Sequence, residues 1–166
     1  INGNVTGGNS TQNTIAIYNT NTSATINVNG NVFGGGQVGG GNQAINSTGP
    51  VNITGSVTSQ AAAIAISCTN TVTVNGTVTS NGSGAAISAV NTATSITVTG
   101  NVIVGAAGTG AAIVSTNAGA SVTLIGNFTN RAGKQAIFCL TIFLSDAVTN
   151  ALTYNTPGGA SRTLYS

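Results

Sequence analysis

A short pattern of alternating apolar and polar residues, broken by a glycine, recurs along this chain. Its form is apolar, polar, apolar, polar, Gly, polar, apolar, as in the segment from Val72 to Val78. Strict alternation with β-branched apolar residues is typical of a strand that buries one face. Each copy therefore predicts a strand. The five full copies cover 26–32, 51–57, 72–78, 96–102 and 122–128, and a truncated sixth covers 1–5.

The glycines of this motif are spaced by 27, 25, 21, 24 and 26 residues, so the repeat has an elastic period near 25. By the alternation, each glycine falls on the buried side of its strand. A missing side chain there lets the backbone bend or approach a neighbour closely. We expect a corner at each of these glycines, which are Gly3, Gly30, Gly55, Gly76, Gly100 and Gly126.

An Ala-Ile pair recurs in each of the six repeats and predicts another strand in every repeat. The position two residues beyond each Ile is small, as in Ser47, Cys68 and Ala89. Adjacent residues of a strand point to opposite faces, so one apolar face of this strand should lie outside. With Ile inward, the outward alanines would form an oligomer interface, whereas the reverse phase would expose the isoleucines. The alanines are Ala16, Ala44, Ala65, Ala86, Ala112 and Ala136.

A coil of two or three short strands cannot bury its apolar face alone, but stacked coils form a continuous core. The sequence thus predicts an all-β fold, a parallel β-helix or β-solenoid of about six coils of roughly 25 residues. We expect the solenoid body at 1–145 and a C-terminal cap at 146–166. Within the cap, 152–154 and 163–165 flank a turn-rich loop that favours a hairpin.

These repeats resemble the right-handed parallel β-helix of phage tail spikes and fibres, autotransporter passengers, pectate-lyase-like enzymes and some ice-binding proteins. The resemblance covers about residues 1–145 and rests on the period and residue types. It implies a homo-oligomer, with a trimer favoured by the likeness to phage fibres. A triple-stranded fibre wound from three chains is the alternative fold.

Alternation also predicts two polar ladders on the outside of the solenoid. Rows of Asn and Thr would hydrogen-bond along the axis and stabilise the stack without charge repulsion. A hydroxyl-bearing face could also bind ice or a glycan, although the Thr rows are interrupted. The ladders comprise Asn27, Asn52, Thr73, Thr97 and Thr123 in one row, and Asn29, Thr54, Asn75 and Thr99, followed by Ile125, in the other.

Charged residues make up only 2% of the chain, and Arg131 is the first of them. A soluble domain usually carries about a quarter. Asp146 is the single carboxylate side chain and no His is present. The chain therefore lacks the second carboxylate, the His base and the metal ligands that the corresponding classes of reaction require. We therefore expect no enzymatic activity, metal or cofactor. Cys68 and Cys139 should lie roughly 14 Å apart, three coils from one another, which is too far for a disulfide.

The net charge is +2 and the basic residues form no cluster, so the sequence predicts no basic surface that would bind nucleic acid or an anionic membrane. The longest apolar-rich run, 136–144, is also too short for a membrane-spanning helix. The sequence favours a structural or adhesive module of a phage virion fibre or decoration protein, whose partners would be copies of itself, other virion or filament proteins, or a host surface glycan. A bacterial extracellular filament or adhesin, and an ice- or glycan-binding solenoid, remain the alternatives. The expected location is the virion or the cell exterior.

Overall fold

Short strands make up most of the regular structure in the described part of the chain. The computed structural model describes residues 1–8, 14–35, 43–60, 63–90, 95–105, 111–117, 119–129 and 137–139, together with the backbone of the strands at 141–144, 152–155 and 161–164. No helix occurs among these residues.

The strands follow one another in groups of three along the chain. The first ten are β1 (Val5–Thr6), β2 (Ile17–Asn19), β3 (Ile26–Asn29), β4 (Val32–Phe33), β5 (Ile45–Ser47), β6 (Val51–Thr54), β7 (Val57–Ser59), β8 (Ile66–Cys68), β9 (Val72–Asn75) and β10 (Val78–Ser80). The remaining ten are β11 (Ile87–Ala89), β12 (Ser95–Thr99), β13 (Val102–Val104), β14 (Ile113–Ser115), β15 (Ser121–Ile125), β16 (Phe128–Thr129), β17 (Ile137–Phe138), β18 (Thr141–Leu144), β19 (Leu152–Asn155) and β20 (Ser161–Leu164).

Three sheets result, because every third strand pairs in parallel with its equivalent in the next coil. Sheet A contains β3, β6, β9, β12, β15 and β18, and sheet B contains β1, β4, β7, β10, β13 and β16. Sheet C contains β2, β5, β8, β11, β14, β17, β19 and β20. In sheet A, Val72 pairs with Val51 on one side and Ile96 on the other, so equivalent repeat positions stack directly.

The predicted all-β parallel β-solenoid is confirmed, with a slightly lower coil count. From β2 to the equivalent strand β14 the chain makes four turns, and β15 and β16 complete the coil that β14 begins. Strand β1 and the pair β17 and β18 belong to partial coils at the two ends. The predicted terminal hairpin is also present, since β19 pairs antiparallel with β20 and parallel with β17. It extends sheet C beyond the last repeat.

One core runs along the axis and receives side chains from all three sheets. In sheet C the isoleucine column Ile45, Ile66, Ile87 and Ile113 has 0% exposure. Burying each such side chain contributes about 1.5–3 kcal/mol, which a single coil could not obtain alone. The small residues expected two positions further on, Ser47, Cys68, Ala89 and Ser115, are also buried.

The repeat glycines form the corner between sheet A and sheet B, as predicted. All six have positive φ, for example +154° at Gly76 and +141° at Gly100. They also stack on each other, so that a Cβ added to Gly76 would overlap the carbonyl oxygen of Gly55. Both the backbone conformation and the close approach therefore require glycine at this corner.

Both cysteines are buried and free, as the register predicted. Cys68 pairs with Ala89, which pairs with Ser115. Cys139 follows β17, whose Phe138 pairs with Val114, so it occupies the next place in the same column. The two thiols are thus three coils apart and cannot form an intrachain bridge.

Candidate functional site

The outward side of sheet A carries the predicted polar ladders, and we call these nine residues the polar face. Pairing places Asn27, Asn52, Thr73, Thr97 and Thr123 in one column and Asn29, Thr54, Asn75 and Thr99 in the other. Seven of them are exposed, whereas Thr97 and Thr123 are half-buried. Alternation directs their side chains outward because the intervening residues fill the core.

Hydrogen bonding within the polar face is sparser than the sequence suggested. Asn52 Nδ2 donates to Asn27 Oδ1 at 3.0 Å. Among the described residues, the other ladder side chains form no such bond with each other, so the expectation of continuous hydrogen-bonded rows is wrong. A Thr hydroxyl sits on Cβ and cannot readily span the roughly 4.8 Å between neighbouring strands. Most donors and acceptors of this face are therefore available to water or a ligand.

The polar face is uncharged and shallow. No charged side chain precedes Arg131, so the side chains of residues 1–129 offer no ionic contact. A shallow depression at its N-terminal end is lined by Ile1, Asn2, Asn27, Val28, Asn29, Asn52 and Thr54. At the other end, Ile125 interrupts the second column and is 48% exposed. The surface can exchange hydrogen bonds with a neutral partner.

The alanines predicted to form an outward interface point into the core instead. Each of the described ones lies at a bend immediately before a strand of sheet C, with its Ile as the first strand residue. Alternation does not extend through the bend, so both side chains turn inward. Ala44, Ala65, Ala86 and Ala112 have 0% exposure. An exposed alanine stripe is therefore wrong, while Ala16 is half-buried at the first coil and Ala136 lies outside the described residues.

The outward positions of sheet C form a different surface from the one predicted. They pair in the order Tyr18, Asn46, Ser67, Ser88, Val114 and Phe138. Tyr18 is 66% exposed, and the others are half-buried. Serines occupy the middle of this face, and larger side chains lie at its ends.

Buried hydroxyl and thiol groups inside the solenoid form hydrogen bonds with the backbone of the loops between strands. Ser47 Oγ donates to Gly49 O at 2.8 Å, and Ser80 Oγ donates to Ala63 O at 3.1 Å, in the preceding coil. Cys68 Sγ occupies the same place as Ser47 and donates to Gly49 O at 3.4 Å. Burial raises the pKa of the Cys68 thiol above its ordinary value of 9.0, although nearby backbone N–H groups lower it in part. These groups have a structural role, since each one donates a hydrogen bond to a backbone carbonyl oxygen of a turn.

Sequence reasoning missed the residue that follows each corner glycine. Asn31 N donates to Asn4 Oδ1 at 2.9 Å, and Ser56 N donates to Asn31 Oδ1 at 2.8 Å. The repeated Gly-Asn dipeptides were the available signal, but the alternating pattern assigned their Asn residues no role.

The few groups suited to catalysis lie outside the described part of the molecule. Asp146, Lys134 and Arg131 fall there, and Arg162 is described only by its backbone in β20. Within the described residues, no three His, Cys, Asp or Glu side chains come together as a metal site. Within the same residues, no helix is long and apolar enough to cross a membrane.

Comparison with known proteins gives no relative for this chain. No family model, curated protein or solved structure matches it. Its function must be inferred from the residues and geometry described above.

Proposed function

We propose that this chain is a non-enzymatic structural and adhesive module of an extracellular assembly, with a phage virion fibre or decoration protein as the leading assignment. The observation that carries the proposal is the continuous stack itself. Three parallel sheets run through successive coils in register, around one core and with an uncharged exterior over residues 1–129. Such a stack supplies stiffness and length, as a fibre needs. A bacterial filament or adhesin would use the same properties.

The proposal includes assembly of several copies, with a trimer favoured. Because Ala44, Ala65, Ala86 and Ala112 are buried within a single chain, contact between copies must use outward residues such as those of sheet C. Light scattering coupled to size-exclusion chromatography measures this directly. A mass of three chains supports the trimer, whereas a monomer at all concentrations contradicts the oligomeric part of the proposal.

Immunogold electron microscopy tests the assignment itself. Antibodies against the folded chain are applied to intact particles and cells from the source. The proposal predicts gold on fibres or on the particle surface, and label on cell-surface filaments would favour the bacterial alternative. Label confined to the cell interior would contradict both.

A second candidate function, binding of a neutral glycan, is favoured by one observation on the polar face. Apart from the Asn27–Asn52 pair, its amides and hydroxyls make no hydrogen bonds to one another among the described residues. They can therefore both donate to and accept from sugar hydroxyls. A glycan array with the wild type and an Asn52→Ala variant tests this, with Thr58→Ala on sheet B as the control.

Ice binding is the competing use of the same hydroxyl-bearing face. Thermal hysteresis and ice-shaping measurements distinguish it from glycan recognition. Hysteresis that the Thr73→Ala variant reduces would favour ice, whereas glycan binding without hysteresis would favour the sugar. The absence of both signals would leave the polar face with a purely structural role.

A further inference from the structure

At three of the described coil junctions, the side chain of the residue that follows the corner glycine connects neighbouring coils. We call this place the corner position, and its occupants are Asn4, Asn31, Ser56, Thr77, Asn101 and Asn127. Where it holds Asn, the side-chain oxygen accepts a hydrogen bond from the corner N–H of the next coil. The N–O distances are 2.9 Å for Asn31 to Asn4, 2.8 Å for Ser56 to Asn31 and 3.2 Å for Asn127 to Asn101.

Backbone geometry explains why an acceptor is needed at this place. The N–H groups on either side of Asn31 point to the following coil, where Gly30 N donates to Thr54 O and Val32 N donates to Ser56 O, each at 2.9 Å. Alternation along the strand sends the N–H of Asn31 in the opposite direction, towards the preceding coil. There the side-chain oxygen of Asn4 accepts the hydrogen bond that a backbone carbonyl oxygen accepts elsewhere in the ladder. An N–H group without a partner would weaken the stack.

The middle of the stack lacks this connection. Ser56 and Thr77 carry their hydroxyl oxygen on Cβ, one bond closer to the backbone than the amide oxygen of Asn. No hydrogen bond from the N–H of Thr77 or of Asn101 is present among the described residues, although the neighbouring ladder bonds are intact. Gly76 N still donates to Thr99 O at 2.9 Å, and Val78 N to Asn101 O at 2.8 Å.

We infer that Asn at the corner position locks each coil onto the next, and that the two junctions without it are where the glycine corner opens most readily. These junctions are Ser56 to Thr77 and Thr77 to Asn101. The device is independent of what the solenoid binds, so its test does not depend on the proposed function.

Amide hydrogen exchange followed residue by residue tests the inference in the wild-type chain. The amides of Thr77 and Asn101 should exchange about tenfold faster than that of Ser56, because only the N–H of Ser56 must first break a hydrogen bond, the one to Asn31 Oδ1. Ser56 and Thr77 are both half-buried, which makes them a matched pair. Equal protection at these two amides would overturn the inference.

Variants separate the role of the acceptor from that of the surrounding fold. Thr77→Asn should slow exchange at Asn101 about five- to tenfold, and Asn31→Ala should accelerate it at Ser56 by a similar factor. Asn31→Asp keeps an acceptor oxygen and should retain the protection. Asn29→Ala is the control, since it removes an Asn of the polar face and should leave Ser56 unchanged. No change at Asn101 in Thr77→Asn, or none at Ser56 in Asn31→Ala, would overturn the assignment.

Discussion

Replacing Ala86 by Lys tests the inward orientation of the alanine column. Ala86 has 0% exposure and precedes Ile87, which is equally buried. A Lys side chain there would bring an ammonium into the core without a counter-charge, at a cost of about 3–5 kcal/mol. Overpacking adds about 1–3 kcal/mol. The sum of about 4–8 kcal/mol is comparable with the whole stability of an ordinary domain, roughly 5–15 kcal/mol.

Ser88→Lys is the matched control for this substitution. Ser88 lies two residues further along, inside β11, and points outward, half-buried between Ser67 and Val114. A Lys there can extend into water, so the expected loss is only about 0.5 kcal/mol. Circular dichroism during urea denaturation should show Ala86→Lys unfolded or strongly destabilised and Ser88→Lys close to wild type. A folded Ala86→Lys monomer from an oligomeric wild type would mean that the alanines face outward after all.

Three further substitutions and one pH series test the glycine corner, the buried Cys68 thiol and the expectation that the chain has no enzymatic activity. Gly76→Ala should lower the free energy of unfolding by at least about 2 kcal/mol, because φ of Gly76 is +154° and the added Cβ would overlap the carbonyl oxygen of Gly55. An unchanged midpoint of urea denaturation would refute the stacked corner. Cys68→Ser should cost no more than about 1 kcal/mol, since Ser47 already makes the equivalent turn, and a larger loss in thermal denaturation would contradict that equivalence. Burial raises the pKa of Cys68, so as the pH rises above 9.0 the wild type should lose more stability than Cys68→Ser, which keeps the buried Cys139. Identical pH profiles would refute the effect. Asp146→Asn should leave every binding function intact, and loss of a turnover activity with the fold preserved would show that the chain is an enzyme.

The strands and their stacking order could be predicted because one pattern is repeated in every coil. The alternation around Val72 and Val74 indicates which residues are buried. Because the same pattern recurs in the other coils, their equivalent positions are expected to pair with these residues. The glycine corner followed from the same pattern. Its physical basis, positive φ together with the stacked carbonyls of Gly55 and Gly76, became visible only in the structure.

The orientation of the alanines could not be predicted from alternation, because a bend interrupts the strand just before Ile87. Alternation applies only while the chain is extended, and the Ala-Ile pairs lie across the point where extension begins. The corner asparagines were missed for a related reason. Their role depends on the direction of a backbone N–H in the next coil, about 25 residues away, which no local pattern of apolar and polar residues describes.

Disulfide trapping between neighbouring coils tests the central claim, that equivalent positions stack in parallel register. In a background with Cys68→Ser and Cys139→Ser, the pair Thr58→Cys and Thr79→Cys occupies directly paired outward positions of β7 and β10. Neighbouring strands are about 4.8 Å apart, within the range of a disulfide, whereas two coils span roughly 10 Å. We predict rapid oxidation of this pair and none between Thr58→Cys and Ile103→Cys. Failure of the first pair, or efficient bridging of the second, would contradict the stacked solenoid.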